Sequence, residues 1–380
     1  MPPGAPADSK STTARWRGDL MSAVVPWLLS RVIVLMALVT ARHLVHHLTV
    51  KRPIVLRQGL LGWDAAFYGD VAKGGYTAVS RDGLRFFPLL PLLGRVVGLV
   101  PFVSARTGVV VIANAAALVA ALLLVRLVRA ETGDDALARR AAFVLLLAPH
   151  AFVFVMGYAE SLLCACALAA FIGLRRERWL IAAVAGFAAG LCRPVGVLLA
   201  VPAFVEALRA WRLHDRGRDR VLPAIAVVAP VAGLGSYLLW VRHRTGDLFL
   251  ALRLQNSKNL RGGNESPLTS VGHAFHELGS GQRVGYGLHA ITAVVMVALV
   301  IVMARRLPAS YTLYAAVSAG VALCAHNLDS IERYSLATFP FAIAAAMLLK
   351  RPSIERIVLL LIAGGLVAAS MLAFTGALVP

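Results

Sequence analysis

A carboxylate that takes a proton from a hydroxyl, and guanidinium groups that hold a departing phosphate, would suffice for group transfer from a phosphorylated donor. The 380-residue chain carries residues of those types at widely separated positions. They are Trp63, Asp64, Tyr68, Asp70 and Arg85, then Tyr158 and Glu160, then Arg193, then His326, Asp329, Glu332, Arg333 and Tyr334. Asp64 has the character of the base. Arg193 and Arg333 match phosphate oxygens, because guanidinium pairs with them bidentately.

The elements that must position these residues are apolar. Hydrophobic residues make up 59% of the chain and charged ones 15%, and the mean hydropathy is +0.75. A single soluble core does not absorb that excess; lipid does. Apolar runs occur at about 20–42, 107–128, 141–157, 159–174, 179–192, 194–208, 221–241, 286–304, 308–325, 335–349 and 354–376. Eleven such runs, many near the ~20 residues needed to cross a bilayer, predict an all-α polytopic membrane protein. Long alternating strands, and with them a barrel, are not indicated. Pro149, Pro194 and Pro230 mark kinks or breaks.

The formal charge of +19 sits mostly at the ends of these runs. It does not interleave with aromatics, which argues against nucleic acid. It does set an orientation. With the N-terminus in the cytoplasm, the connections 126–140, 175–178, 209–220, 305–306 and 350–356 are short, basic and inside, as the positive-inside rule asks. Residues 1–19 then read as a disordered cytoplasmic tail and 20–380 as one membrane domain, its two long outer loops at 43–106 and 242–285. All the chemistry-bearing residues named above fall outside the cytoplasm on this topology.

Within the first outer loop, Phe86 to Val103 is apolar but holds three prolines and Arg95. It reads as a re-entrant or interfacial helix, with Phe86 and Phe87 at headgroup level. Asp64 is suited to cap a short helix from Ala65 to Lys73, ended by Gly74-Gly75. Phe67, Tyr68, Val71 and Ala72 would then lie on the membrane surface. Whether Asp64 caps or acts as a base stays open at this level. So do the alternatives for its neighbours: Trp63 as interfacial belt or sugar platform, Asp70 as partner of Lys73 or functional group, Arg193 as snorkelling residue or phosphate ligand. Glu160 reads as an arginine partner and Arg333 as an ion-pair or phosphate group. The second outer loop, with Gln255, Asn256, Lys258, Asn259, Arg261 and Glu265, is a candidate to lie over the site and meet the acceptor or the lipid phosphate.

No Walker or Rossmann glycine pattern occurs, and no cytoplasmic loop is long enough for a nucleotide-binding domain. A donor used on the outer face would arrive attached to lipid. The four cysteines, Cys164, Cys166, Cys192 and Cys324, show no metal spacing and imply no disulfide framework. Neither metal nor cofactor is expected. A lipid-linked sugar flippase is the rival class; it predicts polar groups along a midplane path and internal repeats, and neither is visible.

Residues 63–95, WDAAFYGDVAKGGY…RFFPLLPLLGR, resemble the WD-x3-Y-x2-(I/V)A-x2-GY…FFP-x2-P-x3-R signature of the PIG-V-like mannosyltransferases. Gly157-Tyr158-Ala159-Glu160-Ser161-Leu162, Cys192-Arg193-Pro194-Val195-Gly196 and Glu332-Arg333-Tyr334 through Phe339-Pro340 resemble that family's later segments, in order. The resemblance implies a GT-C-type membrane glycosyltransferase with an inverting reaction. It implies a polyprenyl-phosphate-mannose donor, or another polyprenyl-phosphate sugar, and a glycolipid or other extracytoplasmic glycan acceptor. It makes Asp64 the catalytic base. The outer-face polar residues Trp63, Tyr68, Asp70, Arg85, Tyr158, Glu160, Arg193, His326, Arg333 and Tyr334 are its candidate substrate-binding company. The Ala/Arg/Val-rich composition suggests a high-GC bacterium, and so a plasma-membrane enzyme.

Overall fold

The structure, a computed structural model, describes residues 9–45, 47, 50–213, 220–257, 262–280, 284–326, 328 and 330–379. It is all-α: among the described residues the only β pairing is an isolated bridge between Asn264 and Ala325. The helices, in chain order, are α1 (Ser9–His43), α2 (Asp64–Gly74), α3 (Leu89–Val97), α4 (Ala105–Thr132), α5 (Asp135–Leu147), α6 (Glu160–Arg175) and α7 (Trp179–Cys192). A short 3-10 helix at Pro194–Leu199 runs directly into α8 (Ala200–Leu213), followed by α9 (Val221–Thr245), α10 (Pro267–Ser280), α11 (Val284–Arg306) and α12 (Ala309–Leu323). The chain closes with α13 (Ile331–Ala337), α14 (Pro340–Leu348) and α15 (Pro352–Phe374). Short helices at Pro53–Gln58 and Leu250–Gln255 decorate the two long loops.

Six of these elements are long and apolar enough to cross a membrane: Trp16–His43, Ala105–Thr132, Pro194–Leu213, Val221–Thr245, Leu288–Arg306 and Pro352–Phe374. The other apolar runs form shorter helices, α5, α6, α7, α12 and α14, because proline or a polar break ends each one early. Helix α1 begins at Ser9, inside the stretch expected to be a tail.

Small residues let the helices close on one another. At the α7–α9 crossing, a Cβ on Gly190 would lie 2.7 Å from the Leu234 nitrogen and against the Pro230 carbonyl. Pro230 sits inside α9, so its ring and the glycines of α7 fit together as one seam.

The ends of the bundle are knit separately. At one, Arg129 pairs with Asp19, Arg140 donates to the Leu349 carbonyl at 2.8 Å, and Arg175 bridges Glu131 and Glu206 at 2.7 and 3.0 Å. These are the basic connections that the charge pattern groups together. At the other, the first long loop is folded into the protein. Helix α2 packs on α4 and α3, and Tyr68, Val71 and Ala72 are buried. Phe86 and Phe87 are also buried. Phe86 stacks on Phe67 at 4.7 Å and meets Tyr68 edge-on. The aromatic pair expected at headgroup level is therefore a core contact, while the run 86–103 holds the nine-residue helix α3, on which Leu92 and Val96 are exposed.

Candidate functional site

Asp64 is the first residue of α2, not its cap. Trp63 occupies the cap position with φ +57, a left-handed conformation unusual for so large a residue, and its side chain makes no capping bond. Among the described residues the Asp64 carboxylate accepts from no backbone N–H. It turns to cations instead. Arg333 Nη1 donates to Oδ2 at 2.8 Å, and Arg85 Nη2 lies 3.9 Å from Oδ1. The side chain keeps 27% of its surface exposed, against 8% for Arg333. The Asp64 backbone N–H points at the Tyr158 hydroxyl, 3.4 Å away.

A second carboxylate lies behind the first. Glu160 opens α6, is 1% exposed, and pairs with Arg193 at the α7 terminus. Its Oε1 is also 3.4 Å from Arg333 Nη1. Arg333 therefore stands between Asp64 and Glu160, with its Nη2 donating to Ser330 Oγ at 2.7 Å. The guanidinium groups of Arg193 and Arg333 lie over the rings of Tyr334 and Tyr158, at 5.6 and 5.4 Å. Three side-chain atoms of the cluster, Arg85 Nε, Arg333 Nε and Glu160 Oε2, are shielded from solvent and have no hydrogen-bond partner among the described residues.

These charges set the protonation of the pair. Burial by itself raises the Asp64 carboxyl, but Arg333 and then Arg85 outweigh it and hold the group below the usual carboxylate range. Burial likewise opposes the Arg333 cation, and Asp64 and Glu160 restore it, so that its pKa rises.

The elements that bring these residues together are short and tied down. Gly157 donates to the Leu60 carbonyl at 3.0 Å, and a Cβ there would meet Ala65 at 3.4 Å and Val109 at 3.0 Å. That close approach sets Tyr158 beside Asp64. The same segment is held from below: Arg31 donates to the Phe154 carbonyl at 2.8 Å and to Asn114 Oδ1 at 2.9 Å, and Asn114 donates to Val155 at 2.8 Å. On α13, Glu332 turns from the cluster and meets His289 Nδ1 at 2.7 Å.

A cavity of about 230 Å³ opens on this cluster, lined by Asp64, Tyr68, Arg85, Phe86, Phe87, Cys192, Arg193, Leu252, Gln255, Asn256 and Tyr334 among others. A second, of about 390 Å³, lies beyond Phe87 and is walled by Tyr76, Pro91, Leu92, Tyr237 and Trp240. Phe87 and Tyr237 touch, with ring centroids 4.6 Å apart.

The structure thus gathers Asp64, Tyr68, Arg85, Tyr158, Glu160, Arg193, Arg333 and Tyr334. It leaves three expected residues apart. Trp63 gives its indole N–H to the Ala373 carbonyl at 2.9 Å and is covered by Arg52. Asp70 pairs with Arg106, not Lys73. His326 faces Glu265 in the second long loop. Asp329, Lys258, Asn259 and Arg261 lie outside the described residues. Arg31, Asn114 and His289, whose bonds hold these segments, are not singled out by the sequence, although each is a polar group within an apolar run.

The family model that matches is Glycosyltransferase family 87, over residues 87–326. That span includes Tyr158, Glu160, Arg193 and His326. No curated protein matches the chain. Among solved structures it is similar to the oligosaccharyltransferase of Archaeoglobus fulgidus in complex with Zn and sulfate, with 14% identity and a TM-score of 0.43, over 91% of this chain and 52% of that one. The same oligosaccharyltransferase tethered to an acceptor peptide containing the NVT sequon by a disulfide bond gives 12% identity and a TM-score of 0.45, over 95% and 55%. This chain therefore spans about half the length of those structures. With well over half of its residues inside the family match, the chain belongs to glycosyltransferase family 87.

Proposed function

We propose that the protein transfers a mannosyl residue from a polyprenyl-phosphate-mannose donor to a lipid-linked or other glycan acceptor on the extracytoplasmic face of the plasma membrane. One observation carries the reading. A single partly exposed carboxylate, Asp64, faces a cavity that also holds Arg85 and Arg193, with Arg333 bonded to its other side.

The charges favour an anionic ligand. Three guanidinium groups stand against two carboxylates, Asp64 and Glu160, so one positive charge is left for a phosphodiester. The unused donors Arg85 Nε and Arg333 Nε add to that capacity. The aromatic-walled cavity beyond Phe87 suits an isoprenoid tail.

In the reaction, the acceptor oxygen attacks the anomeric carbon as the bond from that carbon to the lipid phosphate breaks. The phosphate leaves with the electron pair, and because the acceptor oxygen bonds to the opposite face the centre inverts. Asp64 Oδ1, the oxygen not bonded to Arg333, takes the acceptor proton. A carboxylate held below its usual range is a weak base, so the proton moves late, as the oxygen gains positive character. Arg193 and Arg85 neutralise the departing phosphate. Should Arg333 also swing toward phosphate, Asp64 loses its strongest acidifying partner and becomes more basic when donor is bound.

The ordered motifs in residues 63–95, 157–162, 192–196 and 332–340 support mannose as the sugar and a bacterial, PIG-V-like, GT-C-type enzyme. The short basic connections support a cytoplasmic N-terminus. The test uses membrane vesicles given radiolabelled polyprenyl-phosphate mannose, with glycolipid profiling of a deletion strain to name the acceptor. Transfer that needs Asp64 is expected. Wild-type turnover by Asp64→Asn at normal protein levels would overturn the base assignment.

A further inference from the structure

Beside the cavity, outside the arginine cluster, three side chains with metal-ligating atoms converge. Glu265 precedes α10, His273 lies on it, and His326 follows α12. Glu265 Oε1 is 2.7 Å from His326 Nδ1, and Oε2 is 3.5 Å from His273 Nδ1. The two imidazole rings meet edge to face at 5.4 Å. One ligand atom from each residue falls within 4.8 Å of the others. Glu265 Oε2 is shielded from solvent and has no hydrogen-bond partner among the described residues.

We propose that Glu265, His273 and His326 form a binding site for a divalent transition metal of the zinc class, which fastens the second long loop to the end of α12. Two imidazole nitrogens and a carboxylate oxygen suit zinc, whereas calcium and magnesium prefer all-oxygen shells. Bonds of about 2.0–2.2 Å in a tetrahedron place neighbouring ligand atoms roughly 3.4 Å apart. The observed 2.7 and 3.5 Å, measured to the two oxygens of Glu265, and the 4.8 Å limit on the whole set put the ligand atoms near that spacing, and side-chain shifts close them round an ion. Ion pairs to His326 and, more distantly, to His273 account for the two carboxylate oxygens electrostatically but give the shielded Oε2 no hydrogen bond among the described residues.

The backbone holds two of the ligands in place before any ion arrives. Glu265 N–H donates to the Cys324 carbonyl at 2.8 Å, and His326 N–H to that of Gly263 at 3.2 Å. Gly262 and Gly263 take left-handed φ of +72 and +97. A Cβ on Gly262 would come 2.7 Å from the His326 ring, so only glycine lets the loop close there. Three protein ligands leave a fourth position open to water. None of the three lines the cavity with Asp64, but Asn256 does, and its amide donates to Asn264 Oδ1 at 2.9 Å, one residue from Glu265. The ion thereby steadies the wall of the cavity without entering it.

The test needs no substrate and stands apart from the identity of the sugar. Full-length protein in detergent is stripped with chelator, dialysed against zinc chloride and measured by plasma mass spectrometry. Wild type is expected to hold one zinc equivalent more than Glu265→Gln/His273→Asn, and zinc is expected to raise its Tm and not that of the double variant. With Co2+ in place of zinc, the wild type should show the strong visible bands of a tetrahedral site. His326→Asn should lose them, and His273→Cys, which keeps a ligand, should retain them with a thiolate band. Equal zinc in wild type and double variant, or cobalt spectra unchanged by His326→Asn, would overturn the site. All three side chains are partly exposed, and metal-free Tm values show whether each variant folds.

Discussion

Arg333 reaches across 269 positions of sequence to place Nη1 2.8 Å from Asp64 Oδ2. The same guanidinium is within 3.4 Å of Glu160. One buried cation thus serves two carboxylates contributed by separate parts of the chain.

That sharing makes Arg333 sensitive to truncation. Arg333→Ala leaves Asp64 and Glu160 facing each other without their common cation, and is expected to cost about 3–5 kcal/mol. Arg333→Lys keeps the charge but not the fork, and falls between. Thermal melts of both variants in detergent check the order. A Lys variant as unstable as the Ala variant would mean that geometry, not charge, dominates.

Asp64→Asn should fold, because the amide oxygen still accepts from Arg333. Transfer should fall by about 10²–10⁴, the usual contribution of a general base. Donor affinity, read from a binding titration, should change far less than turnover.

The sign of the Asp64 effect with pH follows from its lowered pKa. Its contribution to stability is fully present above the unfolded value of about 3.9 and disappears as pH falls through the folded one. The Tm difference between wild type and Asp64→Asn should therefore be flat from pH 5 to 8 and shrink below about pH 4. A difference that instead diminishes as pH rises from 5 to 7 would mean that the carboxyl is raised, not lowered.

Trp63→Phe removes the bond from the indole N–H to the Ala373 carbonyl. It should lower stability by about 1 kcal/mol and leave KM for donor unchanged. A several-fold rise in KM at unchanged Tm would restore Trp63 to a sugar-stacking role.

Gly190→Ala places a methyl against the backbone of α9 at Pro230 and Leu234. Neither neighbour is a side chain that can rotate away. A loss of about 1–3 kcal/mol or more is expected, seen as a lower Tm, whereas Gly235→Ala, with open space around it, should be neutral or stabilising.

Much of the fold was legible in the sequence. Apolar run length and the placement of arginines describe a multi-pass helical protein, because a helix in lipid satisfies its own backbone and needs only length and composition to declare itself. Glu160 could be assigned an arginine partner, since a lone buried carboxylate is too costly. Asp64, Arg193 and Arg333 stood out for the same reason.

Other features depended on which parts of the chain meet. The periodicity of 64–73 is the same whether Asp64 caps α2 or begins it, and only the left-handed Trp63 decides. An apolar pair such as Phe86 and Phe87 is equally content against lipid or protein, so composition does not choose between the membrane surface and the core contact with Phe67 and Tyr68. Asp70 had Lys73 nearby in sequence but meets Arg106, which arrives on α4. Glu265, His273 and His326 have no motif spacing because they come from three elements. What the sequence determined by itself is what local chemistry dictates: helices, their apolar faces, and the few charges too expensive to be incidental. The pairing of Asp64 with Arg333, and the cavity it leaves open, were decided by tertiary structure, because ion pairs form between neighbours in space and the order of residues along a chain carries no record of those distances.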